Sequence, residues 1–505
     1  MSNQSSAQQP INIVILGGGT AGWMAANIFA TKWQSNQVKV TLVESPDVDI
    51  IGVGEGSTPQ LKRFFKMIDV KESEWMPRCN ATYKVNIRFD NWSPKSGIDY
   101  YRHPFTSQVD VFTARAFMVN TRTRRLGLDT NVNPEDFLLN GKLAKDKKGP
   151  VTPENFPFII EYGYHFDSHL LGQFLAELAQ SRGIEYRQEH ISDIKMKSDG
   201  DIDALVTRTG ESISADFFVD CSGFAGVLMQ KTLKVPFNSY KENLFNDSAV
   251  VLPTPISEEI PCETVSTAFS AGWCWKIPLT NRFGNGYVYS SDFISSDDAE
   301  TELRDHLDML ASDESARHLK MKVGQLERHW DKNCIGIGLS QGFIEPLEAT
   351  ALHLVQVCIE LFALNFEKGG FSNQYQDDYN REITHRFERV RDYIVGHYKL
   401  NTRDDSEYWR ANRENTNLSD SLKHILSVWY KREDLHAEIE RQNLNSHFDA
   451  VSWHCLLAGY GAFPPLEKNQ PGKGDLYVEQ DIENFVHGCS LNFASHNKYL
   501  QALKA

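Results

Sequence analysis

Residues 11–33 read INIVILGGGTAGWMAANIFATKW. The apolar run Ile11–Leu16 has strand character and leads directly into a turn, Gly17-Gly18-Gly19-Thr20-Ala21-Gly22. A helix-like stretch follows, and a second apolar run, Val38–Val43, ends on Glu44. Strand, glycine turn, helix and strand predict a βαβ unit. Glycines at 17, 19 and 22 let the backbone approach a pyrophosphate, which then lies on the helix N-terminus. Glu44 is placed to accept hydrogen bonds from an adenosine ribose. A bare glycine turn can be kept for tight packing alone. Here the preceding strand, the following helix and the acidic partner together point to a dinucleotide site.

Working outward, the chain has 505 residues, 41% hydrophobic and 24% charged, which suits one very large domain or a few ordinary ones. The net charge of −15 argues against nucleic acid or an anionic membrane as partner. Eight cysteines are scattered from Cys79 to Cys489 with no CxxC pair. That pattern predicts reduced thiols, no disulfide scaffold and no metal site. The start, MSNQSSAQQP, is polar and lacks Lys or Arg, unlike a signal peptide. No apolar run reaches membrane-span length, so a cytoplasmic location is expected.

Residues 1–10 read as a disordered lead, and 94–153 as an irregular, aromatic and basic insertion that helps build a pocket. An amphipathic helix is predicted over 165–182. Alternating strands follow, ending in ADFFVDCSGF, and 264–290 is a second β-rich stretch. A strand over Cys334–Leu339 precedes a turn and a helix from about Ala349 to Glu367. Beyond Gln374 the pattern is helical, with later loops at GYGAFPP and NQPGKGD. With no Gly/Ser linker and no repeat, the expected units, 11–373 and 374–505, are packed together.

The segment Ala215–Gly223 resembles the second strand-and-glycine element of FAD-dependent monooxygenases. There is no second GxGxxG for a nicotinamide, which implies that FAD is reduced elsewhere and delivered by a separate flavin reductase. Gly272–Pro278, GWCWKIP, matches the GWxWxIP signature of flavin-dependent halogenases. Its Trp273 and Trp275 share one face of a strand. There they would partition flavin from organic substrate, where the plain alternative is two core rings. GGGTAGWMAA, VGEGSTP from Val53, CNATYK from Cys79, YRHPF from Tyr101, GYVYSS from Gly286, GFIEPLEAT from Gly342 and RDYIVGHYKLNTRDDSEYW from Arg391 all resemble tryptophan-halogenase segments, in order. The resemblance implies an α/β fold: an FAD-binding, Rossmann-like βαβ module of the flavin monooxygenase type, with a mainly helical C-terminal part capping the substrate pocket.

The family's catalytic pair maps onto Lys84 in CNATYK and Glu348 in PLEAT. In that chemistry reduced FAD, oxygen and halide (chloride or bromide) give hypohalous acid. A lysine in a dry pocket holds it by hydrogen bond or as a haloamine. A carboxylate stabilises the ring cation and takes its proton. On residue type alone, Lys84 reads as a solvated strand residue, and Glu345 rivals Glu348. The halide would lie at Thr350 and Ala351, on backbone N–H groups of a helix start. Where the family usually has Ser and Gly this chain has Ala349 and Ala351, and the added methyl group makes bromide a candidate. By family position Ile191, Leu339 and Leu352 contact the flavin, and His103, Phe105 and Phe448 line the substrate pocket.

Members acting on free tryptophan grip its amino acid end with paired tyrosines and a glutamate. No tyrosine lies between Tyr430 and Tyr460 here, His436 and Ala437 stand in their place, and Asn443 replaces the glutamate. Glu438 and Glu440 are the candidate substitutes. Ammonium and carboxylate groups entering a pocket need partners, so indole, another indole derivative, a phenol or a tryptophan within something larger is the expected aromatic substrate. Two competing readings are an FAD-dependent aromatic hydroxylase and a non-catalytic flavin-binding protein. A homodimer is the expectation for an acidic, well-packed enzyme of this kind.

Overall fold

The computed structural model describes residues 9–33, 37–47, 54–444, 447–466, 468 and 479–503. The polar lead as far as Ala7 and Gln8, the start of VGEGSTP at Val53 and the NQPGKGD loop lie outside the described residues. Ile11–Leu16 and Val38–Glu44 pair in parallel, joined by the helix Thr20–Lys32. Phe217–Asp220 pairs in parallel on the other side of Ile11–Leu16, and Cys334–Gly336 pairs beyond it. The six-stranded sheet is completed by Glu185–Gln188 at one edge and Trp330–Asp331 at the other. Strands buried on both faces need near-continuous apolar runs, and Ile13, Ile15, Leu42, Phe218 and Val219 are all buried. The Thr20–Lys32 helix is fixed against Ser168–Ser181 by Asn27, whose amide donates to the Leu175 carbonyl at 2.8 Å.

A second, seven-stranded sheet contains Asn86–Ser93, Ile98–Pro104, Glu263–Phe269, Gly272–Pro278 and Arg282–Tyr289. A small three-stranded sheet, Gly54–Gly56, Gly163–Asp167 and Thr82–Lys84, leads into it. Helix Ala351–Lys368 packs against Thr20–Lys32 and against Gln376–Leu400, and shorter helices follow in the chain. One buried cluster extends from Ile13 to Leu500.

Four expectations need correction, the first being the strand expected over Cys334–Leu339, which ends at Gly336 because the chain turns at Gly338–Ser340, with Gly338 at φ 73°. The 94–153 stretch is not simply irregular: it holds the strand Ile98–Pro104 and the helices Ala114–Arg125 and Leu139–Lys145. Its periodicity is masked because buried positions carry charge, as where Arg102 is paired with Glu135 and Glu263. The predicted 165–182 helix begins only at Ser168, because His165–Asp167 pairs with Gly54–Gly56 and Asp167 caps the helix. The helix expected from Ala349 begins at Ala351, since Ala349 is left-handed at φ 55°.

Candidate active site

The glycine turn is shaped by close approaches. Gly17 has φ 120°, and a Cβ there would lie 2.2 Å from the Cys221 carbonyl oxygen; one on Gly22 would lie 2.0 Å from the Gly17 oxygen. A Cβ on Gly18 would meet the Glu44 carboxylate at 2.3 Å, whereas one on Gly19 would meet nothing within 4 Å. Gly19 caps the helix without a side-chain hydrogen bond, so N–H groups at Thr20 and Ala21 remain for a ligand. Glu44 accepts a hydrogen bond from the Tyr186 hydroxyl at 2.9 Å, and burial raises its pKa. This cradle fits a dinucleotide such as FAD. Glu189 N–H donates to the Glu44 carbonyl, and Ile191 packs against the buried cluster that contains Leu16 and Val43. Leu339 sits in a turn whose Gly338 packs on Ala21, and Leu352 lies in the first turn of Ala351–Lys368.

Lys84 is 1% exposed, not a solvated edge residue. Burial pushes its amine down to about 7, while Glu348 pulls it back up. Its Nζ lies 5.6 Å from the centre of the Phe105 ring. Glu348 is also buried. It accepts from His103 Nδ1 at 3.1 Å and from His397 Nε2 at 2.9 Å. Burial alone would raise its carboxyl pKa, but the two imidazoles outweigh that and hold it at about 2. The rival carboxylate, Glu345, is tied down by Trp273 Nε1 at 2.8 Å, Asn246 at 2.8 Å and the Tyr398 hydroxyl at 2.7 Å. It orients Trp273. The Trp273 and Trp275 rings share a face with centroids 6.1 Å apart. Gly286 makes room for Trp275, because a Cβ there would meet its ring at 2.2 Å.

Immediately after Glu348, Ala349 takes the left-handed conformation, costing about 1–2 kcal/mol for a non-glycine residue, and Thr350 caps the helix. The Thr350 hydroxyl is buried with no hydrogen-bond partner among the described residues. Together with the N–H groups from Ala351 onward, that makes a cradle suited to an anion. Phe448 lies flat on Tyr393, centroids 3.6 Å apart, and His103 is 6.0 Å from the same tyrosine. Tyr393, His397 and Tyr460 were not singled out by the sequence. The signal was present as Tyr393 and His397, four apart and so on one helix face. The candidate substitutes for the missing grip are engaged elsewhere: Glu438 with Arg441 and Gln442, Glu440 with His436. His447 stacks on His353, centroids 4.4 Å apart.

All eight cysteines are buried and unpaired. Among the described residues there is no three-residue His/Cys/Asp/Glu group able to hold a metal and no helix long and apolar enough to cross a membrane.

A family model described as tryptophan halogenase matches residues 12–471. The chain is 37% identical over 486 residues to the tryptophan 6-halogenase SttH of Streptomyces toxytricini, covering 90% of each chain. The crystal structure of that enzyme superposes with a TM-score of 0.85 at 32% identity, covering 98% of this chain and 100% of the other. Xcc4156, a flavin-dependent halogenase from Xanthomonas campestris, superposes with a TM-score of 0.84 at 30% identity, covering 98% and 99%.

Proposed function

The chain belongs to the tryptophan halogenase family, and on that premise we propose that it halogenates an indole-type arene other than free tryptophan, using Lys84 and Glu348. It is a flavin-dependent halogenase, an oxidoreductase that draws reduced FAD from a separate reductase and takes a halide as co-substrate. The chemistry supplied by bound reduced FAD is the oxidation of halide by oxygen to hypohalous acid. Gly17–Gly22 and Glu44 hold the cofactor, with Ile191, Leu339 and Leu352 against it. Trp273 and Trp275 keep it from the arene. The halide sits at Thr350 and Ala351, with bromide accepted beside chloride.

The observation that carries the reading is a buried amine at Lys84 that feels the charge of a buried carboxylate at Glu348, whose ionised form is held by two imidazoles. Lys84 donates a hydrogen bond to hypohalous acid and keeps it beside the ring. Phe105, His103 and Phe448 orient that ring. Attack leaves a ring cation, and Glu348 offsets its charge. Such a cation is a strong acid, so a weakly basic carboxylate suffices to take its proton. His103 and His397 keep Glu348 ionised between turnovers.

The choice against free tryptophan rests on Glu438 and Glu440 being engaged on their own helix and on the absence of the paired tyrosines. The test is mass spectrometry of indole and of L-tryptophan, each supplied with enzyme, FAD, reductase, NADH, oxygen and bromide or chloride. A halogen isotope pattern on indole that disappears in Lys84→Ala is expected. Saturable, tight turnover of free L-tryptophan would overturn the substrate reading, and an active Lys84→Ala would overturn the role of the lysine.

A further inference from the structure

We infer that His165 and Thr264 are positioning residues for Lys84, forming a one-way hydrogen-bond relay that starts at the Pro278 carbonyl and ends with an acceptor oxygen facing the Lys84 amine. This rests on the reading of Lys84 as the group that holds hypohalous acid.

The relay is built on one row across the small sheet, where Gly56 and Thr82 both pair directly with His165. His165 is wholly buried, and both ring nitrogens are occupied: Nδ1 lies 3.0 Å from Thr82 Oγ1 and Nε2 lies 2.9 Å from Thr264 Oγ1. Thr82 Oγ1 also lies 2.7 Å from the Pro278 carbonyl oxygen. A carbonyl can only accept, so the single Thr82 hydroxyl proton points there. Thr82 Oγ1 must then accept from His165, which places the ring proton on Nδ1. Burial, with the nearby Lys84 and His496, keeps the imidazole neutral, so Nε2 carries a lone pair. The Thr264 hydroxyl donates its proton to that lone pair. What remains on Thr264 Oγ1 is acceptor capacity alone.

That oxygen and the Lys84 amine flank one spot. A Cβ built on Gly56 would lie 3.0 Å from Lys84 Nζ and 3.3 Å from Thr264 Oγ1. The absent Gly56 side chain is the room in which the amine sits. A threonine free to rotate its proton could turn a donor toward Lys84. This one cannot, because the direction of every bond is set by a backbone carbonyl. The carbonyl belongs to the last residue of the strand Gly272–Pro278, which carries Trp273 and Trp275. The relay therefore anchors the oxygen beside the amine to the strand of the two tryptophans. The Thr264 oxygen thus presents an acceptor, never a donor, on the Lys84 side of the Gly56 gap.

The experiment compares Thr264→Val, which keeps the shape and removes the oxygen, with Thr264→Ser, which keeps the oxygen, and with Lys84→Met. Each holoenzyme is given reduced FAD, bromide and indole. Bromoindole is measured against hypobromous acid caught by a β-diketone scavenger. Thr264→Val should lower bromoindole per scavenged oxidant tenfold or more with little change in the KM for indole, while Thr264→Ser stays within about twofold of the parent. Selective ¹⁵N labelling of histidine should show His165 as the Nδ1–H tautomer, identified by its loss in His165→Gln. Unchanged coupling in Thr264→Val, equal loss in Thr264→Val and Thr264→Ser, or an Nε2–H tautomer would each overturn the relay. An unaffected Lys84→Met would instead overturn the reading of Lys84 on which it rests.

Discussion

His397 Nε2 lies 2.9 Å from Glu348 Oε1, and the opposite nitrogen of the same ring lies 3.0 Å from the Tyr460 hydroxyl. His397 is fully buried and burial lowers its pKa, so the neutral ring is the consistent form. Tyr460 donates to Nδ1, which leaves Nε2–H to donate to Glu348. Replacing His397 with Phe removes one of two imidazole donors from a buried carboxylate, a loss of about 1.5–3 kcal/mol for a hydrogen bond to a charged group. If Glu348 stabilises the ring cation, kcat should fall roughly ten- to hundredfold, with the KM for the arene little changed. Gln at this position, able to donate from a similar place, should recover part of the rate. Steady-state kinetics on indole check both variants.

Lys84 makes a second prediction through its shifted titration. Its folded value of about 7 lies below the ordinary 10.5. Between those values the unfolded chain binds a proton that the folded chain does not, so stability rises with pH across this window. Below about pH 7 the folded protein must bury an ammonium, and the penalty is fully present. Lys84→Met should therefore melt above the parent at pH 6, and the gap should close as pH rises from 7 toward 10. If the acting form is the ammonium, arene halogenation in the parent should decline as pH passes about 7. Thermal melts and a pH–rate profile measure the two effects.

The glycine turn separates folding from cofactor binding. Gly19→Ala adds a methyl group where no protein atom lies within 4 Å, whereas Gly18→Ala drives one into the Glu44 carboxylate. Gly19→Ala should leave the melting temperature of the FAD-free protein nearly unchanged while weakening FAD by tenfold or more, since the methyl group would occupy the cofactor's space. Gly18→Ala should displace Glu44 and weaken FAD through the lost ribose contact. Flavin fluorescence titration alongside melts distinguishes the two.

Ala349 carries backbone strain beside the Glu348 carboxylate. Glycine accepts φ 55° without penalty, gaining about 1–2 kcal/mol against about 0.5–1 kcal/mol of added unfolded-state entropy. Ala349→Gly should thus stabilise the protein slightly, by up to about 1 kcal/mol. A marked drop in melting temperature would show that the methyl group's packing, at 5% exposure, outweighs the strain.

The local signals in the chain determined the parallel strands and glycine turn of this enzyme. Ile11–Gly22, Val38–Glu44 and Phe217–Asp220 are contiguous runs whose hydrophobicity and glycine placement each specify their own backbone, and they form the parallel strands and turn expected of them. The motif resemblance likewise led to Lys84 and Glu348. Only the tertiary structure decided what surrounds that pair. His103 and Glu348 are 245 positions apart, His165 and Thr264 99 apart, and Thr82 and Pro278 196 apart. No local pattern encodes such partners, because a side-chain hydrogen bond is set by where two elements pack. The same is true of Glu345, which differs from Glu348 not in residue type but in what folding places against it: one carboxylate is taken up by Trp273, Asn246 and Tyr398, the other is held by two imidazoles and acts electrostatically on a buried lysine.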